Sequence, residues 1–151
     1  MNYRIEKLRE YLFSVLDKML TSKKYQINAD MLSSNIDDYS LDKIPTESEV
    51  ENWIIGGGIR RDVFSFRSRK PYSQDAVNNL ANIGFFEEFE RTIKSNNDEG
   101  ILPDIDGVES IICLNPATMN NAETQTAEFD IQIQITYREN MGGGNISLWL
   151  K

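Results

Sequence analysis

One segment near the C-terminal end of the chain alternates apolar and polar side chains over ten residues. The apolar side chains occupy every second position, and they are Phe129, Ile131, Ile133, Ile135 and Tyr137. The residues between them, from Asp130 to Arg138, are polar or charged. Successive side chains of a β-strand point to opposite faces of the sheet. The segment therefore predicts a strand of an antiparallel sheet that has one face on the core and the other in water.

Two other segments carry the three- and four-residue spacing of an amphipathic helix. Residues 3–20 place Ile5, Leu8 and Leu12 on one side and charged side chains on the other, which predicts a helix. Residues 74–95 repeat the pattern and predict a second, longer helix. Gly84 lies inside this second segment, where the missing side chain permits a bend or close packing.

Shorter apolar segments between turn-forming residues predict the remaining strands. We expect these strands at residues 26–29, 39–44, 50–55, 59–69 and 108–114. Gly56-Gly57-Gly58 separates the third of them from the fourth, which predicts a hairpin. A phosphate-binding loop is disfavoured there, because no Gly-Lys pair follows the glycines. Residues 120–124 are polar and predict a connection.

The order of these elements predicts an α+β fold. A helix, a group of strands, a second helix and a second group of strands follow one another, which is typical of a sheet with helices packed on it. We expect an antiparallel β-sheet with an N-terminal helix and a second long helix packed on it. A length of 151 residues suits one domain, residues 1–138, with residues 139–151 as a C-terminal extension.

Composition excludes several kinds of active site. The chain has no histidine and a single cysteine, Cys113, so histidine-based catalysis, an internal disulfide and a multi-cysteine zinc site are excluded. The net charge of −8 disfavours sequence-independent binding to nucleic acid, which needs cationic surfaces. No apolar run approaches the ~18 residues of a membrane span, and the charged N-terminus lacks the apolar stretch of a signal peptide. We therefore expect a soluble, non-enzymatic protein with no metal, no cofactor and no membrane partner.

One stretch of this acidic chain is strongly basic. Five of the 16 basic residues lie at positions 60–70, and four of them are arginines, Arg60, Arg61, Arg67 and Arg69. Three interpretations remain open: a surface strand whose arginines are paired, an electrostatic contact between subunits, or contact with nucleic acid. In an acidic protein, a basic edge that faces a neighbour's acidic edge steers assembly and fixes its register.

The second predicted helix carries a group of acidic residues, Glu87, Glu88 and Glu90, and Asp37 lies beside Asp38 in a predicted turn. Paired carboxylates bind divalent metals or share acid–base work. The simpler interpretation is a solvated helix face, because no glutamate is followed two positions later by the lysine expected of a common carboxylate nuclease. Glu87 and Glu88 are also candidates for the acidic side of a subunit contact.

The C-terminal segment places large apolar side chains after a second triple glycine. They are Ile146, Leu148, Trp149 and Leu150. Chain ends fray unless they dock, so this segment either covers its own core or reaches a neighbouring subunit across Gly142-Gly143-Gly144. Tryptophan is enriched among binding hot spots, which makes the second interpretation a candidate contact.

Four segments, taken in their order along the chain, resemble a known protein family. They read FSFRSR at residues 64–69, NLANIGFFEEF at 79–89, GILPD at 100–104 and AEFDIQIQITY at 127–137. Tyr39-Ser40-Leu41 followed by Ile44-Pro45 fits the same pattern. Together they resemble the small minor capsid proteins of tailed phages and prophages of Gram-positive bacteria, a family similar to the tail-terminator group. The likeness spans about residues 27–137; Lys70-Pro71 and the longer tail beyond Arg138 depart from it.

The resemblance implies a structural virion protein rather than an enzyme. Family members of this kind form a homo-hexameric ring at the head-proximal end of the tail tube, which ends tube polymerisation and joins the tail to head-completion proteins. The implied partners are other copies of the chain, the major tail tube protein and the head-completion or connector proteins. The implied location is the head–tail junction of a virion made in the bacterial cytoplasm, and DNA passes through the ring without specific binding.

Two alternatives stand beside the tail terminator. The first is a head-side connector or stopper of the neck, which would touch the portal-side adaptor instead of the tail tube. The second comes from a different class, a metal-dependent hydrolase that uses Glu87, Glu88 or Asp37.

Overall fold

The chain folds into one sheet with two helices packed on it. The computed structural model describes residues 3–20, 27–29, 38–71, 76–122 and 126–140. In chain order the elements are α1 (Arg4–Met19), β1 (Ile27–Ala29), β2 (Tyr39–Ile44), β3 (Glu49–Asn52), β4 (Gly58–Pro71), α2 (Ala76–Asp98), β5 (Val108–Cys113), β6 (Thr118–Ala122) and β7 (Thr126–Glu139). The α+β prediction is confirmed.

Two long antiparallel strands form the centre of the sheet. β4 and β7 pair over their whole lengths, from Gly58 opposite Glu139 to Pro71 opposite Thr126. The strand order is β1-β2-β4-β7-β5, and the short strands β3 and β6 pair with the ends of β4 and β7. The alternating segment found in the sequence is thus a central strand, and β7 continues one residue past the expected domain boundary at residue 138.

The sheet is mixed rather than wholly antiparallel. β1 pairs with β2 in parallel, with Ile27 opposite Tyr39, whereas the other strand pairs are antiparallel. A three-residue strand carries too little pattern to show its direction. The polar connection expected at residues 120–124 is also wrong in part, because β6 (Thr118–Ala122) pairs with β7. An edge strand is held by backbone hydrogen bonds to its neighbour and does not require apolar side chains. The polar sequence of β6 therefore gave no sign of a strand.

Both predicted helices are confirmed, with small changes at their ends. α2 ends at Asp98, three residues beyond the predicted end, and it runs without interruption through Gly84. The close packing that Gly84 permits does not occur within the described chain. A Cβ atom built on Gly84 meets no other atom within 4 Å.

The predicted hairpin between β3 and β4 is confirmed, although pairing stops at Asn52 rather than at residue 55. Backbone hydrogen bonds from Trp53 N to the Gly57 carbonyl (3.1 Å) and from Gly56 N to the Trp53 carbonyl (3.0 Å) close the turn. Gly56 and Gly57 have φ angles of 93° and 72°, a region that side-chain-bearing residues rarely adopt. The turn therefore depends on its glycines.

The core lies between the helices and one face of the sheet. α1 contributes Leu8, Leu12, Val15 and Leu16, while α2 contributes Phe86, Phe89 and Ile93. The sheet face beneath them carries Leu41, Phe64, Phe66, Ile131, Ile133 and Ile135. Tyr39 stacks on Phe66 with ring centroids 5.2 Å apart, and Phe66 stacks on Phe89 at 5.3 Å. The two-faced alternation predicted for β7 is confirmed, because Gln132, Gln134 and Thr136 alternate with these buried isoleucines and are only half-buried.

Candidate functional site

The four arginines predicted as a contact surface all lie on β4, but they do not form one patch. Arg60 and Arg61 lie at the start of the strand, whereas Arg67 and Arg69 lie near its end. Arg67 lies six positions beyond Arg61, which is about 20 Å along a strand. The basic group that is continuous in sequence is therefore divided into two groups in space.

Arg67 is the centre of a polar network on the sheet face opposite the helices. Its Nη2 lies 2.7 Å from Asp42 Oδ2, and its Nη1 lies 3.2 Å from Glu128 Oε1. Nη2 also donates to Ser40 Oγ at 3.1 Å. Because two carboxylates from the neighbouring strands β2 and β7 balance this one guanidinium, Arg67 connects three adjacent strands and adds no net positive charge to the surface.

The other three arginines also have partners within the chain. Arg60 Nε lies 3.4 Å from Glu139 Oε1, Arg61 Nε donates to the Glu47 carbonyl at 2.9 Å, and Arg69 Nη1 donates to Thr126 Oγ1 at 3.4 Å. These contacts agree with the interpretation of a strand with paired arginines. A role of the same residues at a subunit interface stays a prediction.

The carboxylates of α2 do not converge. Glu87 and Glu88 are exposed on the helix, while Glu90 is half-buried, and burial together with the nearby Glu87 raises the pKa of Glu90 above its usual value. Asp37 lies outside the described residues. Within the described ranges, no three acidic or cysteine side chains come together as a possible metal site.

A buried carboxylate on β4 escaped the sequence analysis. Asp62 is almost fully buried, and its carboxylate accepts a hydrogen bond from Arg4 Nε at 2.6 Å and lies 3.6 Å from Lys43 Nζ. Tyr137 donates its hydroxyl to the same carboxylate at 3.5 Å. Burial lowers the pKa of Arg4, but the Asp62 partner more than offsets this, so the pKa of Arg4 is raised. The signal was present in the sequence, because Asp62 shares the core-facing register of Phe64 and Phe66.

An open cleft of about 590 Å³ lies beside Arg4, at the end of β7. Its lining carries cations, Arg4, Lys7 and Arg138, and also the acids Asp104, Asp106 and Glu139. Three cations and three acids thus line the same cleft, and Lys7 Nζ lies 3.7 Å from Asp104 Oδ2. A lining of this kind favours neither an anion nor a cation.

Ten large apolar side chains are exposed in the described part of the chain, and the sequence analysis chose none of them as a contact. At the hairpin between β3 and β4, Val50, Ile54 and Ile55 are exposed, and Ile54 is fully so. Leu80 and Ile83 on the first half of α2 and Met119 on β6 are exposed as well. Large apolar groups at a surface mark sites of contact. From the sequence alone such side chains are expected in the core, so their exposure becomes visible only in the fold.

The apolar C-terminal residues proposed as a subunit contact, Ile146, Leu148, Trp149 and Leu150, lie outside the described residues. No protein family and no curated protein matches this chain. None of the helices in the described part of the chain is long and apolar enough to span a lipid bilayer.

Proposed function

We propose that this chain is a structural virion protein, a tail terminator that forms a ring at the head-proximal end of a phage tail tube. In this role the ring ends tube polymerisation and provides a surface for head-completion proteins. The role needs surfaces for other copies of the chain, for the tail tube and for the neck, and it needs no catalytic residues.

The observation that carries the proposal is the position of the four segments that resemble this family. Residues 64–69 lie on β4 and residues 127–137 lie on β7, and the two strands pair residue by residue, with Phe64 opposite Ile133. Residues 79–89 lie on α2, where Phe86 contacts Phe129 with ring centroids 5.1 Å apart. In the segment at residues 100–104, the Ile101 carbonyl accepts a hydrogen bond from Tyr11 of α1. Segments far apart in sequence therefore belong to one packed unit, as expected if the resemblance reflects a shared fold.

The charge of the chain suits a ring that surrounds DNA. The net charge of −8 is repeated in each copy, and Arg60, Arg61 and Arg67 of β4 have acidic or carbonyl partners within the chain. DNA passes most freely through a channel that offers few unpaired cations to its phosphates. We therefore expect the wall of the channel to be acidic or neutral, with few exposed arginine or lysine side chains.

Electron microscopy of the purified full-length chain tests this function. The expected images show closed rings with a central opening. Particles that remain single compact subunits at the highest soluble concentration would contradict the proposal. A parallel assay for DNA cleavage with Mg²⁺ or Mn²⁺ tests the hydrolase alternative, and metal-dependent cleavage that is lost in Glu87→Gln or Glu88→Gln would replace our proposal with that one.

A further inference from the structure

β5 lies at an edge of the sheet. It pairs with β7 on one side, and within the described residues no strand pairs with its other side. Leu114 N donates to the Gln132 carbonyl of β7 at 2.8 Å, which fixes the alternation of hydrogen bonds along the strand. The backbone N–H and C=O groups of Ile111 and Cys113 therefore point away from β7. Groups of this kind are a template for pairing with a strand of another chain.

The sequence of β5 lacks the features that usually prevent such pairing. Residues 110–114 read Ser-Ile-Ile-Cys-Leu and contain neither a charged residue nor a proline. Ile112 and Leu114 are 39% and 44% exposed, so apolar side chains also accompany the strand on its outer face. Apolar edge strands without a charge or a proline associate edge to edge. Protection of β5 must therefore come from another part of the fold.

The last turn of α2 provides this protection. Asn97 Oδ1 accepts a hydrogen bond from Ile111 N at 2.9 Å, so a side chain of the helix takes the place of a carbonyl from a neighbouring strand. Ile111 is completely buried although it lies at the edge of the sheet. Because α2 packs against β5, the helix covers the strand at this position. The cover does not extend over Ile112 and Leu114.

From these contacts we infer that Asn97 prevents β5 from pairing with β5 of a second copy. Its side chain occupies the Ile111 N–H and holds the end of α2 over the strand. Without that acceptor, the buried N–H group has no partner in its own chain, and a strand from a second copy offers one. Pairing of the same strand in two copies is isologous. The closed edge belongs to the single subunit and does not depend on the proposed ring.

Two adjacent asparagines allow a matched comparison. Asn96 and Asn97 lie in the same turn of α2 and are both half-buried. Asn96 Nδ2 donates to Tyr11 Oη of α1 at 3.1 Å, whereas Asn97 accepts from β5. Each alanine variant thus removes one side-chain hydrogen bond from the end of α2, but only Asn97→Ala opens the edge of β5. Asn97→Asp keeps an acceptor oxygen and should leave the edge closed.

Sedimentation of the full-length variants tests the inference, over concentrations that begin where the wild-type chain is a single copy. We expect Asn97→Ala to associate at a concentration at least about tenfold lower than Asn96→Ala, because the lost hydrogen bond raises the fraction of open edges by about that factor. Asn97→Asp should associate as the wild-type chain does. Equal association of the two alanine variants would overturn the inference. Circular dichroism checks that each variant is folded.

A second substitution locates the association on β5. Ile112 is exposed on this strand, and a lysine at an edge opposes strand pairing. Ile112→Lys added to Asn97→Ala should therefore return the association to the level of Asn96→Ala. Association that persists in the double variant would show that another surface is responsible and would overturn the inference.

Hydrogen exchange of the Ile111 amide, measured by NMR on dilute samples, follows the edge itself. The amide should exchange at least about tenfold faster in Asn97→Ala than in the wild-type chain, and within about twofold of the wild-type rate in Asn97→Asp and Asn96→Ala. An unchanged rate in Asn97→Ala would show that Asn97 does not close the edge.

Discussion

Asp62 shows how one buried charge attaches α1 to the sheet. Its carboxylate is almost fully buried and faces Arg4 from α1 and Lys43 from β2. Removing one partner of a buried ion pair leaves the other charge without compensation, which costs more than the loss of an exposed pair.

Asp62→Asn should therefore lower the free energy of unfolding by about 2 kcal/mol, a value reduced from the fully buried case because Arg4 is partly exposed. Urea denaturation measures the change. The control, Asp98→Asn, removes the exposed pair of Lys94 with Asp98 and should cost less than about 0.5 kcal/mol. Equal losses in the two variants would show that Asp62 contributes no more than a surface charge.

Cys113 illustrates a thiol kept protonated by its surroundings. Burial, and secondly the negative charge of Glu90, raise the pKa of Cys113 to about 12. Because the thiolate is the reactive form, the folded protein at pH 8 should react with a disulfide reagent at least about tenfold more slowly than the chain unfolded in urea. Absorbance of the released thiol follows both rates. Similar rates in the folded and unfolded chain would show that Cys113 ionises normally.

At the scale of single elements, pattern strength determined what the sequence could predict. α1 and β7 have long, regular periodicities, and both were found within a few residues of their ends. β6 and the parallel β1 are short edge strands whose pairing depends on neighbours that are distant in sequence. Asp62 could have been placed by the alternation of β4, but its partner Arg4 is 58 residues away, and only the packing of α1 brings them together.

Gly84 should be replaceable in the isolated subunit. It lies inside α2, it is exposed, and an added Cβ atom meets no neighbour within 4 Å. Gly84→Ala should raise the free energy of unfolding by about 1 kcal/mol, because alanine favours the helix over glycine by that amount. Gly107→Ala is the control and should destabilise the fold, since φ is 74° there and a Cβ would run into the Arg138 carbonyl. A loss of stability in Gly84→Ala, measured by urea denaturation, would contradict the open space above this helix.

The C-terminal extension provides a prediction about an element outside the described residues. We expect it to contact an adjacent protein rather than its own core. Deletion of residues 142–151 should then change the melting temperature of the isolated chain by less than about 2 °C, while assembly is impaired. Calorimetry and sizing of the same sample check both parts. Unfolding of the truncated chain would show that the segment belongs to its own core.

At the scale of the whole molecule, polar and apolar surfaces lie in different places. The sheet face opposite the helices holds the Arg67 network, and exposed apolar side chains lie at the hairpin between β3 and β4 and on the first half of α2. Exposed apolar side chains of this kind are where we look first for the contacts that the proposed ring requires. The net charge of −8 suits the proposed ring, because a channel that passes DNA should not hold its phosphates.

Native mass spectrometry of the full-length chain, recorded over a range of protein concentrations, tests the central claim of a closed ring most directly. The account predicts that one assembly of six copies becomes dominant as the concentration rises, with no larger species beyond it, because a closed ring leaves no free surface for a seventh copy. A mass that remains that of one chain at every concentration, or a series that grows without a limit, would contradict it.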